Sequence, residues 1–78
     1  MGEIDLIAKK NDTIVFVEIK TMKESSQFPA IGPTQVARIK RAATLYLSQK
    51  NIYHSCVLRF DLITISRLCV VKHYKNIF

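Results

Sequence analysis

The chain has no tryptophan, and only two glycines, two prolines and two cysteines among its 78 residues. So little glycine and proline excludes collagen-like and low-complexity architectures, and 49% hydrophobic with 23% charged residues excludes a disordered chain. Two cysteines, Cys56 and Cys69, cannot build a disulfide scaffold, so reduced thiols are expected. No Cys-x-x-Cys or His-x-x-x-His spacing accompanies His54 or His73, and both read as surface histidines rather than metal ligands. Long apolar runs are missing too. The longest stretch without a charge is thirteen residues, 25–37, and it contains both prolines and a glycine, which excludes a membrane span. Met1-Gly2-Glu3-Ile4-Asp5 has neither the basic nor the apolar region of a signal peptide, and acids after Gly2 with Leu at position 6 do not suit myristoylation. A cytoplasmic protein with no membrane partner is expected. At this length one domain, residues 1–78, is the limit, and folding buries only about 60–65% of the unfolded surface, so the core is small.

Acidic residues are scarce and unevenly spread. Five of the six (Glu3, Asp5, Asp12, Glu18 and Glu24) fall in residues 1–24, which carry a balance of −1. Residues 25–78 carry Asp61 alone against eight basic residues, a balance of +7. A concentrated acidic cluster beside a basic remainder suits a polyanion held near a bound cation. A merely solubilising surface would look much the same.

Residues 3–8 alternate acidic or exposed positions with Ile4, Leu6 and Ala8, and residues 13–20 (Thr-Ile-Val-Phe-Val-Glu-Ile-Lys) are β-branched and aromatic. The polar turn Lys9-Lys10-Asn11-Asp12 joins them into a hairpin. Residues 21–33 show no periodicity and read as a loop that moves or contacts something. Thr34 is the expected N-cap of a helix reaching about Lys50, with Val36, Ile39, Ala43, Tyr46 and Leu47 as its apolar stripe. Arg38, Lys40 and Arg41 lie off that stripe in the first half of the helix, where the dipole does not favour cations. They form either a solvated face or an anion-binding one. Residues 57–65 form a third strand, with Leu58, Phe60 and Leu62 on one face and Arg59 and Asp61 on the other, free to pair with each other. A tight turn at Ser66-Arg67 leads to a fourth strand, residues 68–72, and then a short tail packed by Tyr74 and Phe78. That turn would set Cys69 opposite Thr64, far from Cys56. Tyr46 and Tyr53 are expected in the core or at its rim. The fold class is α/β: a mixed sheet in the order ββαββ, with the helix as a parallel crossover on one face and the other face open.

Hairpin pairing gathers the chemistry. If Asn11 and Asp12 are the two central turn residues, Asp5 falls opposite Glu18 and Glu3 opposite Lys20; a four-residue loop puts Glu3 opposite Glu18 instead. Either way four charged groups share one face. Two facing carboxylates repel, and water, Lys20 or a divalent cation must offset that repulsion. Carboxylates completed by water are what Mg²⁺ or Mn²⁺ takes, and such a metal could polarise a phosphodiester oxygen. Lys20, two residues from Glu18, could orient the attacking water or neutralise developing charge. An ordinary salt-bridged face, Glu3 with Lys20, is the plainer alternative.

The blocks Gly2-Glu3-Ile4-Asp5-Leu6-Ile7-Ala8 and Val15-Phe16-Val17-Glu18-Ile19-Lys20-Thr21 closely resemble the YraN family of small bacterial proteins. The resemblance runs on through the basic helix and Arg59-Phe60-Asp61 to Tyr74-Lys75-Asn76-Ile77-Phe78, nearly the whole chain. That family is assigned to the restriction-endonuclease-like superfamily, marked by an Asp followed at a distance by Glu-x-Lys, here Asp5, Glu18 and Lys20. The resemblance implies a restriction-endonuclease-like core and a Mg²⁺-dependent endonuclease acting on DNA, with a bias to branched or structured substrates. Asp5 and Glu18 would hold the metal with the main-chain carbonyl of Ile19 and with Glu3. Lys20 would assist the water, Gln35 would stand near the metal, and Lys23, Arg38, Lys40 and Arg41 would contact phosphates. Family members usually begin with a helix and a short strand before the Gly-Glu-Ile-Asp block. That helix is expected to be lacking here, and a homodimer could cover the open sheet face. Two other readings stand beside this one: a non-catalytic nucleic-acid-binding module of the same fold, and a structural or dimerisation fragment.

Overall fold

The computed structural model describes residues 4–24, 29–52 and 56–77. Glu3, Tyr53, His54 and Phe78 lie outside the described residues. The elements follow one another as β1 (Leu6–Lys10), β2 (Thr13–Met22), α1 (Pro33–Gln49), β3 (Val57–Ser66) and β4 (Val71–Tyr74). They form an α/β arrangement with one mixed sheet, strand order β1-β2-β3-β4. β2 and β3 are parallel, with α1 as their crossover, and both outer strands are antiparallel to their neighbours.

The first hairpin turns on Asn11 and Asp12. Asn11 takes a left-handed φ of 54°, which asparagine tolerates better than most residues. Lys10 therefore faces Thr13, Ile7 faces Phe16 and Leu6 faces Val17. Of the two registers compatible with the sequence, the two-residue turn is the one formed. β1 starts and ends later than residues 3–8. Its core contact is Ile7, with Ile4 just ahead of the strand, whereas Leu6 is half-exposed on the opposite face. Alternation starting from Ile4 had placed Leu6 and Ala8 with it, but Ile4 precedes the regular strand and so does not share its parity.

Helix α1 is capped by Gly32, not Thr34. Gly32 is extended (φ −79°, ψ 164°), its carbonyl accepts from the Val36 amide at 3.1 Å, and Pro33 opens the helix, where its missing N–H costs nothing. Thr34 falls inside the first turn. At the other end Asn51 is left-handed (φ 55°); the Asn51 amide donates to the Ser48 carbonyl and Ile52 to Leu47, the paired bonds of a Schellman ending. Ile39, Ala42 and Ala43 are buried against the sheet; Ala42, not part of the expected stripe, is small enough to sit there. The core is built on Ile14, Phe16 and Leu62. Phe16 stacks on Phe60 at 5.3 Å between ring centroids and meets the edge of Tyr46 at 5.9 Å.

The second hairpin is wider than a tight turn at Ser66-Arg67. Ser66 and Val70 bracket Arg67, Leu68 and Cys69, with the Ser66 amide donating to the Val70 carbonyl and Cys69 to Ser66. Cys69 supplies the left-handed residue (φ 61°) that closes such a three-residue loop. The extra residue shifts the register, so Thr64 faces Lys72 rather than Cys69, and β4 runs through His73 and Tyr74, which do not belong to a tail. Both cysteines are free.

Asp61 anchors this side. Its carboxylate is buried and has all its acceptor positions filled. Arg59 donates twice, from Nε and Nη2 at 2.9 Å each, the Asn76 amide donates at 3.0 Å, and His73 Nε2 lies at 2.7 Å. Since an ionised carboxylate only accepts, His73 must carry its hydrogen on Nε2 in this arrangement. His73 is thus not an idle surface histidine. Burial pushes the Asp61 carboxyl up, but the Arg59, Asn76 and His73 hydrogen bonds outweigh it and hold the group below the usual carboxylate value. A carboxyl lowered in the folded state stabilises the fold above its ordinary pKa, and that contribution is lost as pH falls through the lowered one. Asp61→Asn should therefore cost about 1.5–3 kcal/mol near neutrality, the range for hydrogen bonds to a charged group. Thermal melts from neutral to strongly acid pH should show a flatter acid limb in the variant than in the wild type.

Candidate active site

Pairing of β1 with β2 brings the acidic residues together. Continued one step beyond Leu6 and Val17, the register sets Asp5 across from Glu18, on the face that carries Ile7, Phe16 and helix α1. Asp5 has already left the strand. Its Oδ2 accepts from the Ile19 amide at 2.9 Å, taking over a donor that a longer β1 would have paired through its backbone. It is the amide of Ile19, then, that meets Asp5.

Glu18 is half-buried beneath the start of α1. Gln35, in the helix's first turn, donates from Nε2 to Glu18 Oε2 at 3.3 Å. The two carboxyls, facing each other across the strands, act on each other's titration. Their titrations split accordingly. The Asp5 carboxyl is lowered, first by its interaction with Glu18 and then by the Ile19 amide. Glu18 is raised, by burial first and then by Asp5, against the opposing pull of Gln35 and the Arg38 charge. Two facing carboxyls titrate as one interacting pair rather than as two independent groups.

Lys20 lies on the same face, and its Nζ donates to the Ala30 carbonyl at 2.7 Å. This bond ties β2 to the segment leading into α1. Arg38 is exposed, one turn beyond Gln35, near enough for its charge to act on Glu18. Lys40 and Arg41 are exposed on the same helix, and Lys23 is exposed past the end of β2; none of the three is tied to the carboxyl pair. Among the described residues no cluster of three or more His, Cys, Asp or Glu side chains comes together, so the pair stands as two oxygen donors, with Glu3 outside the described residues. The Ala30 carbonyl was not foreseen, because nothing in residues 21–33 marks one carbonyl above another. The His73 and Asn76 partners of Asp61 were missed as well. The one available signal was a lone acid in the basic part of the chain, set in a strand of apolar residues.

Residues 1–65 match the model of a family described as Uncharacterised protein family UPF0102, a stretch that includes the whole carboxyl pair, Lys20 and helix α1. The chain belongs to the UPF0102 family. This is the YraN family that its Gly-Glu-Ile-Asp and Val-Glu-Ile-Lys blocks resemble. It is 37% identical over 78 residues to a UPF0102 protein of Mesorhizobium japonicum, covering 99% of this chain and 62% of the relative. A UPF0102 protein of Paramagnetospirillum magneticum is 34% identical over 73 residues (92% and 57%), and one of Agrobacterium fabrum 35% over 79 (100% and 65%). The chain thus spans about 57–65% of the length of these three UPF0102 relatives. No helix among the described residues is long and apolar enough to cross a membrane.

The raised Glu18 makes a prediction for stability. A carboxyl raised in the folded state favours folding below its ordinary pKa and gives that contribution up as pH rises through the raised value. Without divalent cations, Glu18→Gln should stabilise the protein near neutrality by about 0.2–1 kcal/mol, the scale of a cross-strand charge pair. The gain should vanish below the ordinary glutamate range. Thermal melts of both proteins at several pH values in a chelating buffer check this.

Proposed function

We propose that this domain is a metal-dependent hydrolase of nucleic-acid phosphodiester bonds, a DNA endonuclease with a restriction-endonuclease-like ββαββ core. The observation that carries the reading is the facing pair Asp5 and Glu18 on the helix-covered face, held by the Ile19 amide and Gln35, with Lys20 two residues along. Two facing carboxylates repel each other, and a divalent cation between them can offset that repulsion. Two carboxylates suit Mg²⁺ or Mn²⁺, because Mg²⁺ commonly takes one or two and completes its shell with water and substrate phosphate. Asp5 and Glu18 would hold the ion, with Glu3 and the Ile19 carbonyl as further donors. When bound, it would polarise the phosphodiester and ease loss of a proton from the attacking water.

The chain's own residues do the rest. The Ile19 amide keeps Asp5 turned toward Glu18, and Gln35 holds Glu18 from above, so the pair is oriented before any ligand arrives. Lys20, on leaving the Ala30 carbonyl, would stabilise negative charge developing on the phosphoryl oxygens. Arg38, Lys40, Arg41 and Lys23 would meet backbone phosphates without reading sequence. A second reading, a nucleic-acid-binding module without catalysis, is favoured by one observation: the Lys20 ammonium is committed to a main-chain carbonyl.

Mg²⁺ and Mn²⁺ titrations followed by amide NMR, wild type beside the Asp5→Asn/Glu18→Gln double variant, separate these readings. The hydrolase reading expects shifts focused at Asp5, Glu18 and Ile19, broadening with Mn²⁺, and neither in the variant. Cleavage of linear and branched DNA should then fall about 10²–10³-fold in Lys20→Ala, as for loss of one transition-state donor, with the metal response intact. A wild type without a localised metal response would leave the binding module as the reading.

A further inference from the structure

β2 and β3 run parallel and end together. Their last paired residues are Met22 and Ser66, and the next residue on each chain is a cation, Lys23 on one and Arg67 on the other. Adjacent strands lie about 4.8 Å apart, so two positive side chains leave the same sheet end side by side. Between them opens a cleft of about 460 Å³, lined by Thr21, Met22, Lys23, Ile65, Ser66 and Arg67. None of the six is acidic. Neither Lys23 nor Arg67 has an ion-pair partner among the described residues, and both are exposed. The cleft also carries the hydroxyls of Thr21 and Ser66. Ser66 Oγ already accepts from the Val70 amide at 3.1 Å, which leaves its own hydrogen to donate.

Like charges placed side by side repel unless an anion joins them. Two cations, two hydroxyls and no carboxylate match a phosphate group: a guanidinium for paired oxygens, an ammonium as a point charge, hydroxyls for what remains. The position also follows the rule for sheets with parallel strands, whose ligands gather outside the carboxyl ends. Lys23 stands five residues beyond Glu18, roughly 16 Å at the rise of a strand. That separation is about five nucleotide steps at 3.4 Å each along a duplex axis.

We propose that the Lys23–Arg67 cleft is a phosphate-binding subsite that takes a backbone phosphate of a nucleic acid whose strand also reaches the Asp5–Glu18 pair. This rests on the proposed function for its second contact but not for its chemistry. Arg67 thereby joins the binding surface, and the contact acts on affinity and register rather than on base identity.

The test is a Lys23→Gln/Arg67→Gln double variant binding a short DNA duplex over a series of salt concentrations, in the absence of divalent cations. Both side chains are exposed, so the thermal midpoint should not move. The dependence of log K on log salt should become shallower by about 0.9, one phosphate contact, with the same loss on unrelated sequences. Inorganic phosphate should shift the amides of Thr21, Met22, Lys23, Ser66 and Arg67 in the wild type and not in the variant. An unchanged salt slope overturns the proposal. Phosphate shifts with an unchanged slope identify a site for free phosphate and overturn the backbone assignment. If the Mn²⁺ response at Asp5 and Glu18 is absent while the slope change remains, the hydrolase reading fails and the subsite stands.

Discussion

One two-residue turn determines which side of the sheet holds the chemistry. With Asn11 and Asp12 at its centre, every residue of β1 is assigned a partner on β2, and the side-chain period of two does the rest. Ile7 meets Phe16 under the helix, Leu6 meets Val17 on the other face, and Asp5 comes to Glu18. A turn one residue longer without a compensating bulge would send Asp5 to the opposite face, away from Glu18, Lys20 and Gln35. The left-handed φ of Asn11 is thus a small backbone feature on which both the packing of the core and the pairing of the carboxyls depend.

The two faces of the sheet solve different electrostatic problems. On the side away from the helix, Asp61 is buried with a full set of donors, so it can stay ionised while excluded from water. On the helix side, Asp5 and Glu18 have fewer donors than acceptor positions among the described residues, and they face each other. The first arrangement is complete and suits structure. The second retains a deficit of positive charge that a ligand can meet, which is why it, and not the Asp61 cluster, is the candidate for chemistry.

Much of this could be read from the sequence because it depends on local periodicity. The strand character of β2 and β3, the helical stripe at Ile39, Ala43, Tyr46 and Leu47, and the pairing of Arg59 with Asp61 follow from side chains close together in the chain. The parts that were not legible depend on backbone choices several residue types can make. Gly32 rather than Thr34 caps the helix because Pro33 takes the first helical position. Cys69, a residue with no strong turn preference, adopts the left-handed conformation that widens the second hairpin and moves β4. The tie between Lys20 and Ala30 spans a loop without pattern. Of the site, Asp5, Glu18, Lys20 and Gln35 were legible as types at a spacing, whereas the Ile19 amide on Asp5 and the Gln35 bond to Glu18 needed the geometry.

The central claim is that Asp5 and Glu18 form one interacting pair of carboxyls that a divalent cation can enter. A pH titration of their side-chain carboxyl ¹³C shifts, with and without Mg²⁺, tests it most directly. The account predicts coupled titrations, Asp5 below and Glu18 above the ordinary range, with the Glu18 curve moving to lower pH when Mg²⁺ is added. Two independent titrations at ordinary values, unmoved by Mg²⁺, would contradict it.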